Sequence, residues 1–130
     1  MKTITICGKE YEIKCNAFTH IQFKKIFNRG LFEDIDIIDK FNKLQVLLTT
    51  QILEQNPKIQ DDELIKQLSR SMLPNIDEYI DAVTRIAYIC IFTANEKIEN
   101  YEEWLKNIPK LNTNDLWIAE VTEYAVSCFC

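Results

Sequence analysis

The sequence predicts a mainly α protein, α+β by strict count, with an N-terminal β-hairpin followed by a bundle of about five to six helices. Three observations predict it. Polar–apolar alternation is confined to residues 3–14. From Asn16 onward the apolar residues recur every three or four positions, the period of helices with one buried face. Only two glycines and three prolines punctuate 130 residues, which favours long elements joined by short connections. No repeat, low-complexity run or linker divides the chain, so residues 1–130 read as a single domain: 1–15 the hairpin, 16–130 the helical part.

In the hairpin Ile4, Ile6, Tyr11 and Ile13 alternate with Thr3, Thr5, Glu10, Glu12 and Lys14. Gly8-Lys9 suits a two-residue turn that begins with glycine, which pairs Ile6 with Tyr11 and Ile4 with Ile13 on one face and sets Cys7 opposite Glu10. A lone hairpin is marginal in water, so that face must rest on the helices that follow.

Asn16 can cap the first helix, on which Thr19, Phe23, Ile26 and Phe27 share a face and Gly30 fits a left-handed stop. The second helix is expected over about 34–55, with Ile37, Phe41, Leu44, Leu48 and Ile52 as its stripe, ended by Asn56-Pro57. Asp61, Asp62 and Glu63 place acid at the start of a third, where the helix dipole favours it. Leu64, Ile65, Leu68 and Met72 form its stripe, and Pro74 is expected to close it. A fourth helix, about 75–97, carries Tyr79, Val83, Ala87 and Cys90 on one side and is apolar nearly all round from Ile86. Asn100 opens a short helix that buries Trp104, Leu105 and Ile108. Thr113 can cap a last one, with Trp117, Val121, Tyr124, Ala125 and Cys128 on one face and Ile118, Val126 and Phe129 on a second.

Composition narrows the function. With 47% hydrophobic and 27% charged residues, the chain falls in the globular rather than the disordered class. A net charge of −5 leaves no basic footprint for phosphate. Lys24, Lys25 and Arg29 form a small cationic patch, but Glu33, Asp34, Asp36 and Asp39 follow at once, and a solvated helix face accounts for it. No nucleic-acid partner is expected. Neither is a membrane partner, because the richest apolar run, 86–94, is far shorter than the roughly 18 residues of a span. The N-terminus lacks an apolar signal-peptide core, so the cytoplasm is the expected location, with the five cysteines reduced.

Chemistry-bearing motifs are not found. Glycines only at 8 and 30 cannot build a phosphate cradle, and the sequence has no G-x-S-x-G or H-E-x-x-H. His20 is the only histidine and reads as structural; a dyad with Cys15 or Cys90 lacks any recognisable nucleophile context. Cys7, Cys15, Cys90 and the terminal Cys128-x-Cys130 do not form the paired knuckles of a zinc site, and small apolar fillers describe most of them. The carboxylates of 61–63 and 102–103 lie in helix first turns. The expectation is a protein that is not an enzyme and uses no cofactor or metal.

The order of features resembles a family. A hairpin reading I-T-I-C-G-K-E-Y-E-I-K (4–14) precedes an asparagine and an amphipathic helix; then come acidic helices, a late E-E-W-L (102–105), and W-I-A-E-V-T-E (117–123) before an apolar end. Across essentially the whole chain this resembles the tail assembly chaperones of long-tailed phages and prophages of Gram-positive bacteria. The resemblance implies a non-enzymatic protein that binds the tape measure protein, helps recruit tail tube protein, self-associates, acts in the host bacterial cytoplasm and is missing from the finished virion. A longer frameshifted form is common in that family. Other phage morphogenesis or adaptor proteins, and a small nucleic-acid-binding phage regulator, are the alternative readings. A chaperone for an apolar helix needs exposed apolar grooves. The runs 86–94 and 118–129 either supply them, with Ile91, Phe92, Ile118, Val126 and Phe129 as the protein-binding residues, or pack on each other.

Overall fold

A computed structural model describes residues 2–129. The elements are β1 (Lys2–Ile6), β2 (Lys9–Ile13), α1 (Thr19–Phe27), α2 (Leu31–Gln55), α3 (Asp61–Ala94), α4 (Tyr101–Lys106) and α5 (Leu116–Phe129). This is the expected hairpin followed by helices. Cys130, one half of the terminal C-x-C, lies outside the described residues.

β1 and β2 pair antiparallel with Ile4 opposite Tyr11 and Ile6 opposite Lys9. The register is shifted by two from the expected one, and the turn is Cys7-Gly8 rather than Gly8-Lys9. Both turn residues are left-handed, Cys7 at φ 50° and Gly8 at φ 80°. That is the backbone of a type I′ turn, whose twist matches the strands it joins. A slip of two keeps every side chain on its original face, so Ile4, Ile6 and Ile13 are still buried together. Cys7 is therefore in the turn and not opposite Glu10; its thiol donates to the Lys110 carbonyl at 3.0 Å. β1 rests on α5 and β2 on α3, which covers the apolar face.

Helix boundaries differ from expectation at four places. Asn16 forms an Asx turn, its side-chain oxygen accepting from the Phe18 N–H at 2.9 Å, one step before the helix proper. α1 stops at Asn28, not Gly30: Asn28 takes the left-handed conformation (φ 55°, ψ 37°) and its N–H donates to the Lys24 carbonyl, a role asparagine fills better than other non-glycine residues. Gly30 is instead the extended residue before α2, and the Glu33 carboxylate accepts its N–H at 3.4 Å. α5 starts at Leu116, with the Asp115 carboxylate, not Thr113, accepting from the Asn112 N–H at 3.3 Å.

The largest correction is at Pro74, which lies inside α3 instead of closing a helix. Proline removes one helical hydrogen bond and crowds the carbonyl four residues back. Leu64, Leu68, Met72, Ile76 and Tyr79, however, form one apolar seam at spacings of four, four, four and three that runs straight through position 74. Packing of that seam on α2 holds both halves in a single 34-residue helix. Asn100 caps α4 as expected, its side chain accepting from the Glu103 N–H at 2.9 Å.

The buried cluster draws on every element and centres on the C-terminal half of α3, where Ile86, Ala87, Ile89 and Cys90 are wholly buried. Tyr88, an apparently polar position, is at the middle of an aromatic group: its ring meets Phe27, Phe92, Tyr101 and Trp104 with centroids 5.5–6.1 Å apart, and its hydroxyl donates to the Glu99 carbonyl at 2.8 Å. These contacts dock α4 and the preceding loop. A second polar node fixes α2. Asp34 is completely buried and accepts from Arg85 through two bonds (Nε 2.7 Å, a terminal nitrogen 3.0 Å), while Arg29 Nε lies 2.9 Å away.

Candidate functional site

Away from this cluster the packing opens. From Asn42 to Gln55 on α2, and from Asp61 to Ser71 on α3, no residue is buried. The two segments form a helical arm whose seam, Leu44, Leu48 and Ile52 against Leu64 and Leu68, is only half-covered. The arm keeps apolar residues on its outside as well: Val46, Leu47, Leu53, Ile65 and Leu73 are all exposed. Between the base of the arm and α5 lies a groove of about 630 Å³. Phe41 and Tyr79 form its floor, stacked face to face with centroids 3.9 Å apart and planes 10° from parallel. Burial pushes the Tyr79 hydroxyl pKa up, so the phenol stays protonated near neutrality. Met72 and Ile118 continue the floor, and Ile65 (59% exposed) and Leu116 (74% exposed) stand at the mouth. Asn42, Gln45, Asp115 and Glu123 give the rim a polar, partly acidic edge.

The five expected binding residues do not form one surface. Ile118, 8% exposed, reaches the groove floor. Val126 lines a neighbouring cleft of about 340 Å³ against Phe32 and Ile35. Phe129 is half-buried, its ring edge-on to Phe32 at 5.2 Å and to His20 at 5.6 Å. Ile91 is 2% exposed and belongs to the core, and Phe92 packs beside Tyr88. The run 86–94 is therefore interior over most of its length, and the open apolar surface comes from α2 and the first half of α3. One sequence signal marks it. Val46-Leu47-Leu48 is wider than a single helical stripe, and only Leu48 faces the seam.

The cationic patch is not a cluster of free charges. Arg29 pairs with Asp34 and lies 3.9 Å from Glu33, and the Lys25 ammonium sits 5.4 Å over the Phe18 ring. Burial pulls the Arg85 pKa down, but the hydrogen bonds and charge of Asp34 outweigh it and the net shift is upward. Asp61, Asp62 and Glu63 occupy the first turn of α3, and Glu102 and Glu103 that of α4, as expected. Among the described residues no helix is long and apolar enough to cross a membrane, and no group of three or more His, Cys, Asp or Glu is arranged to hold a metal ion.

No family model, curated protein or solved structure matches the chain.

Proposed function

We propose that this chain is a non-enzymatic phage tail assembly chaperone that holds an apolar helical segment of the tape measure protein in the groove between α2, α3 and α5. The open groove is the observation that carries this reading. Its volume is within the roughly 300–1,000 Å³ of ordinary ligand sites, and its long apolar floor suits the side chains that one face of an amphipathic helix presents at i, i+3/i+4 and i+7. The stacked Phe41–Tyr79 pair offers a rigid aromatic surface of the kind that anchors binding. Asp115 and Glu123 on the rim favour a client helix with lysines flanking its apolar stripe. In this reading the protein works in the host bacterial cytoplasm, assists the joining of tail tube protein to the held client, and is absent from the finished virion. Self-association uses the outer face of the arm, where Val46 and Leu53 lie two turns apart.

Co-expression with the tape measure protein encoded beside it tests the proposal. The client's soluble fraction is expected to rise and the two proteins to co-purify. The double variant Ile65→Asp/Leu116→Asp, exposed at the groove mouth, is expected to weaken capture at least tenfold with an unchanged far-ultraviolet circular dichroism spectrum. Unchanged client solubility together with no co-purification of the wild-type protein would falsify the assignment.

A further inference from the structure

The hairpin leaves one side of β1 open. Its two-residue turn makes Ile6 and Lys9 the closing pair, which exchange both backbone hydrogen bonds. The alternation of an antiparallel ladder then assigns the same to Ile4–Tyr11 and Lys2–Ile13. Thr3 and Thr5 are the intervening residues, so their N–H and C=O groups point out of the ladder, away from β2. Among the described residues the sheet has two strands, and no backbone partner engages these four groups. Beside them is a cleft of about 590 Å³, with Thr3 and Thr5 on one side and Asn112, Leu116 and Trp117 on the other. No residue of β2 lines it, so it runs along the free edge. At one end the Cys7 thiol, bonded to the Lys110 carbonyl, ties the loop before α5 to the hairpin turn.

The walls of the cleft carry a second unmet demand. Trp117 is 3% exposed, and its indole N–H is buried with no acceptor among the described residues. Buried donors are nearly always paired, and an occupant that brings a carbonyl to this wall would pair this one. The charge of the sheet says which occupant fits. On its outer face Thr3 is opposite Glu12 and Thr5 opposite Glu10. Both glutamates are exposed, and among the described residues neither forms an ion pair, not even with Lys14 on the same face. A strand added to β1 would put its own outer side chains in line with them, two strand spacings or about 10 Å away. Lysine and arginine reach that far. A second copy of β1 would bring only threonines and two further glutamates to that face, which leaves four carboxylates without a cation.

We propose that the free edge of β1 takes a basic, extended segment of another protein as a third strand of the sheet. Thr3 and Thr5 each exchange two backbone hydrogen bonds with a partner residue, four in all. The side chain opposite Ile4 points to the inner face, onto the wall of Leu116 and Trp117, and is apolar. The side chains opposite Thr3 and Thr5 point to the outer face and are lysine or arginine, answering Glu12 and Glu10. Backbone pairing supplies the affinity, and the alternation of basic and apolar residues supplies the choice of partner. The site is separate from the groove, because neither Thr3 nor Thr5 lines it.

Titration of the isotope-labelled full chain with the peptide acetyl-Thr-Lys-Val-Lys-Thr-amide, followed by nuclear magnetic resonance, tests the site. The Thr3 and Thr5 amides and the Trp117 indole N–H are expected to shift together. A peptide with glutamate for both lysines is expected to bind at least about tenfold more weakly. Methylating the two lysine backbone nitrogens removes the donors that face β1 and is expected to abolish binding. Thr5→Pro removes an outward N–H and no ladder bond, at a position where an edge strand tolerates proline. It is expected to lose the peptide with an unchanged circular dichroism spectrum, while Thr5→Val keeps it. Ile65→Asp, at the groove mouth and outside this cleft, is expected to bind the peptide normally, so failure of the groove reading and of this one are told apart. No shift with millimolar peptide, shifts confined to the Glu10 and Glu12 amides, or undiminished binding of the glutamate or methylated peptide overturns the proposal. So does loss of binding in Ile65→Asp, or pairing of Thr3 and Thr5 with a second copy in the absence of peptide.

Discussion

The two halves of α3 share one continuous helical backbone and live in different surroundings. Between Tyr79 and Ile91 nearly every side chain is buried, because α1, α2, α4, α5 and the hairpin surround the helix. Between Asp61 and Ser71 none is, because α2 is the only neighbour and covers a single stripe. Helical propensity is similar in both; what differs is the number of partners. The body is held by burial and by polar nodes such as Asp34, whereas the arm is held by a half-covered seam; the exposed pairs Lys40–Asp36 and Lys43–Asp39, both 2.9 Å, lie at its foot and join residues of α2 only to each other. Such exposed i,i+4 pairs add little to stability, because water screens them. A binding surface is drawn from the less stable part of a fold, where apolar area is not already committed.

The sharpest way to test the contrast is to remove Asp34. Its carboxylate answers two guanidinium groups at the junction of α1, α2 and α3, and without it Arg85, only 16% exposed, is left without its partner. Asp34→Ala is expected to cost about 3–5 kcal/mol, the range for breaking a buried ion pair by deleting one member, read as a lower midpoint in urea unfolding. A loss below about 1 kcal/mol, the level of a surface pair, would mean that water reaches the node and that the body is not closed there.

Asp34 also shows where the sequence stops being informative. In one dimension it is one acid among Glu33, Asp34, Asp36 and Asp39; its partner Arg85 is 51 residues away, and no local period reveals such a pair. The same holds for Tyr88, whose aromatic neighbours Phe27, Tyr101 and Trp104 come from two other helices, α1 and α4. Local signals did better. The hairpin face, the Asn100 cap and the acidic first turn of α3 depend on neighbours a few positions away. Pro74 failed because a local rule met a longer one, the seam from Leu64 to Tyr79. The groove was half legible: Ile118 was readable as an apolar residue off the main face of α5, but Phe41 and Tyr79 read as ordinary core positions until the floor they form was seen to open.

Matched truncations measure the difference between the two regions directly. Ile89 is wholly buried, and Ile89→Ala is expected to cost about 2–5 kcal/mol. Leu68, half-buried in the arm seam beside the groove, is expected to cost about 1 kcal/mol when replaced by alanine, since much of its surface is already wet. Native-state hydrogen exchange should show the same order, with amides of 62–71 opening at lower free energy than those of 82–91. Equal losses for Ile89→Ala and Leu68→Ala would show that the arm is covered in solution, as it would be by a second copy of the chain.

Pro74 marks the border between the two regions and gives the finest comparison. Proline in a helix interior costs about 3 kcal/mol through its missing N–H and the clash of its ring with the carbonyl four residues earlier, here that of Arg70. Replacing it frees the unfolded chain as well, which returns about 1 kcal/mol to the unfolded state. The net expectation for the exposed Pro74→Ala is a gain of about 2 kcal/mol, seen as a higher urea midpoint and slower exchange of the amides around position 74. The arm should gain most, because its register on α2 is set through this one turn. If stability is unchanged or falls, the break in hydrogen bonding is matched to the geometry of the arm, and the proline fixes the angle at which the groove stands open.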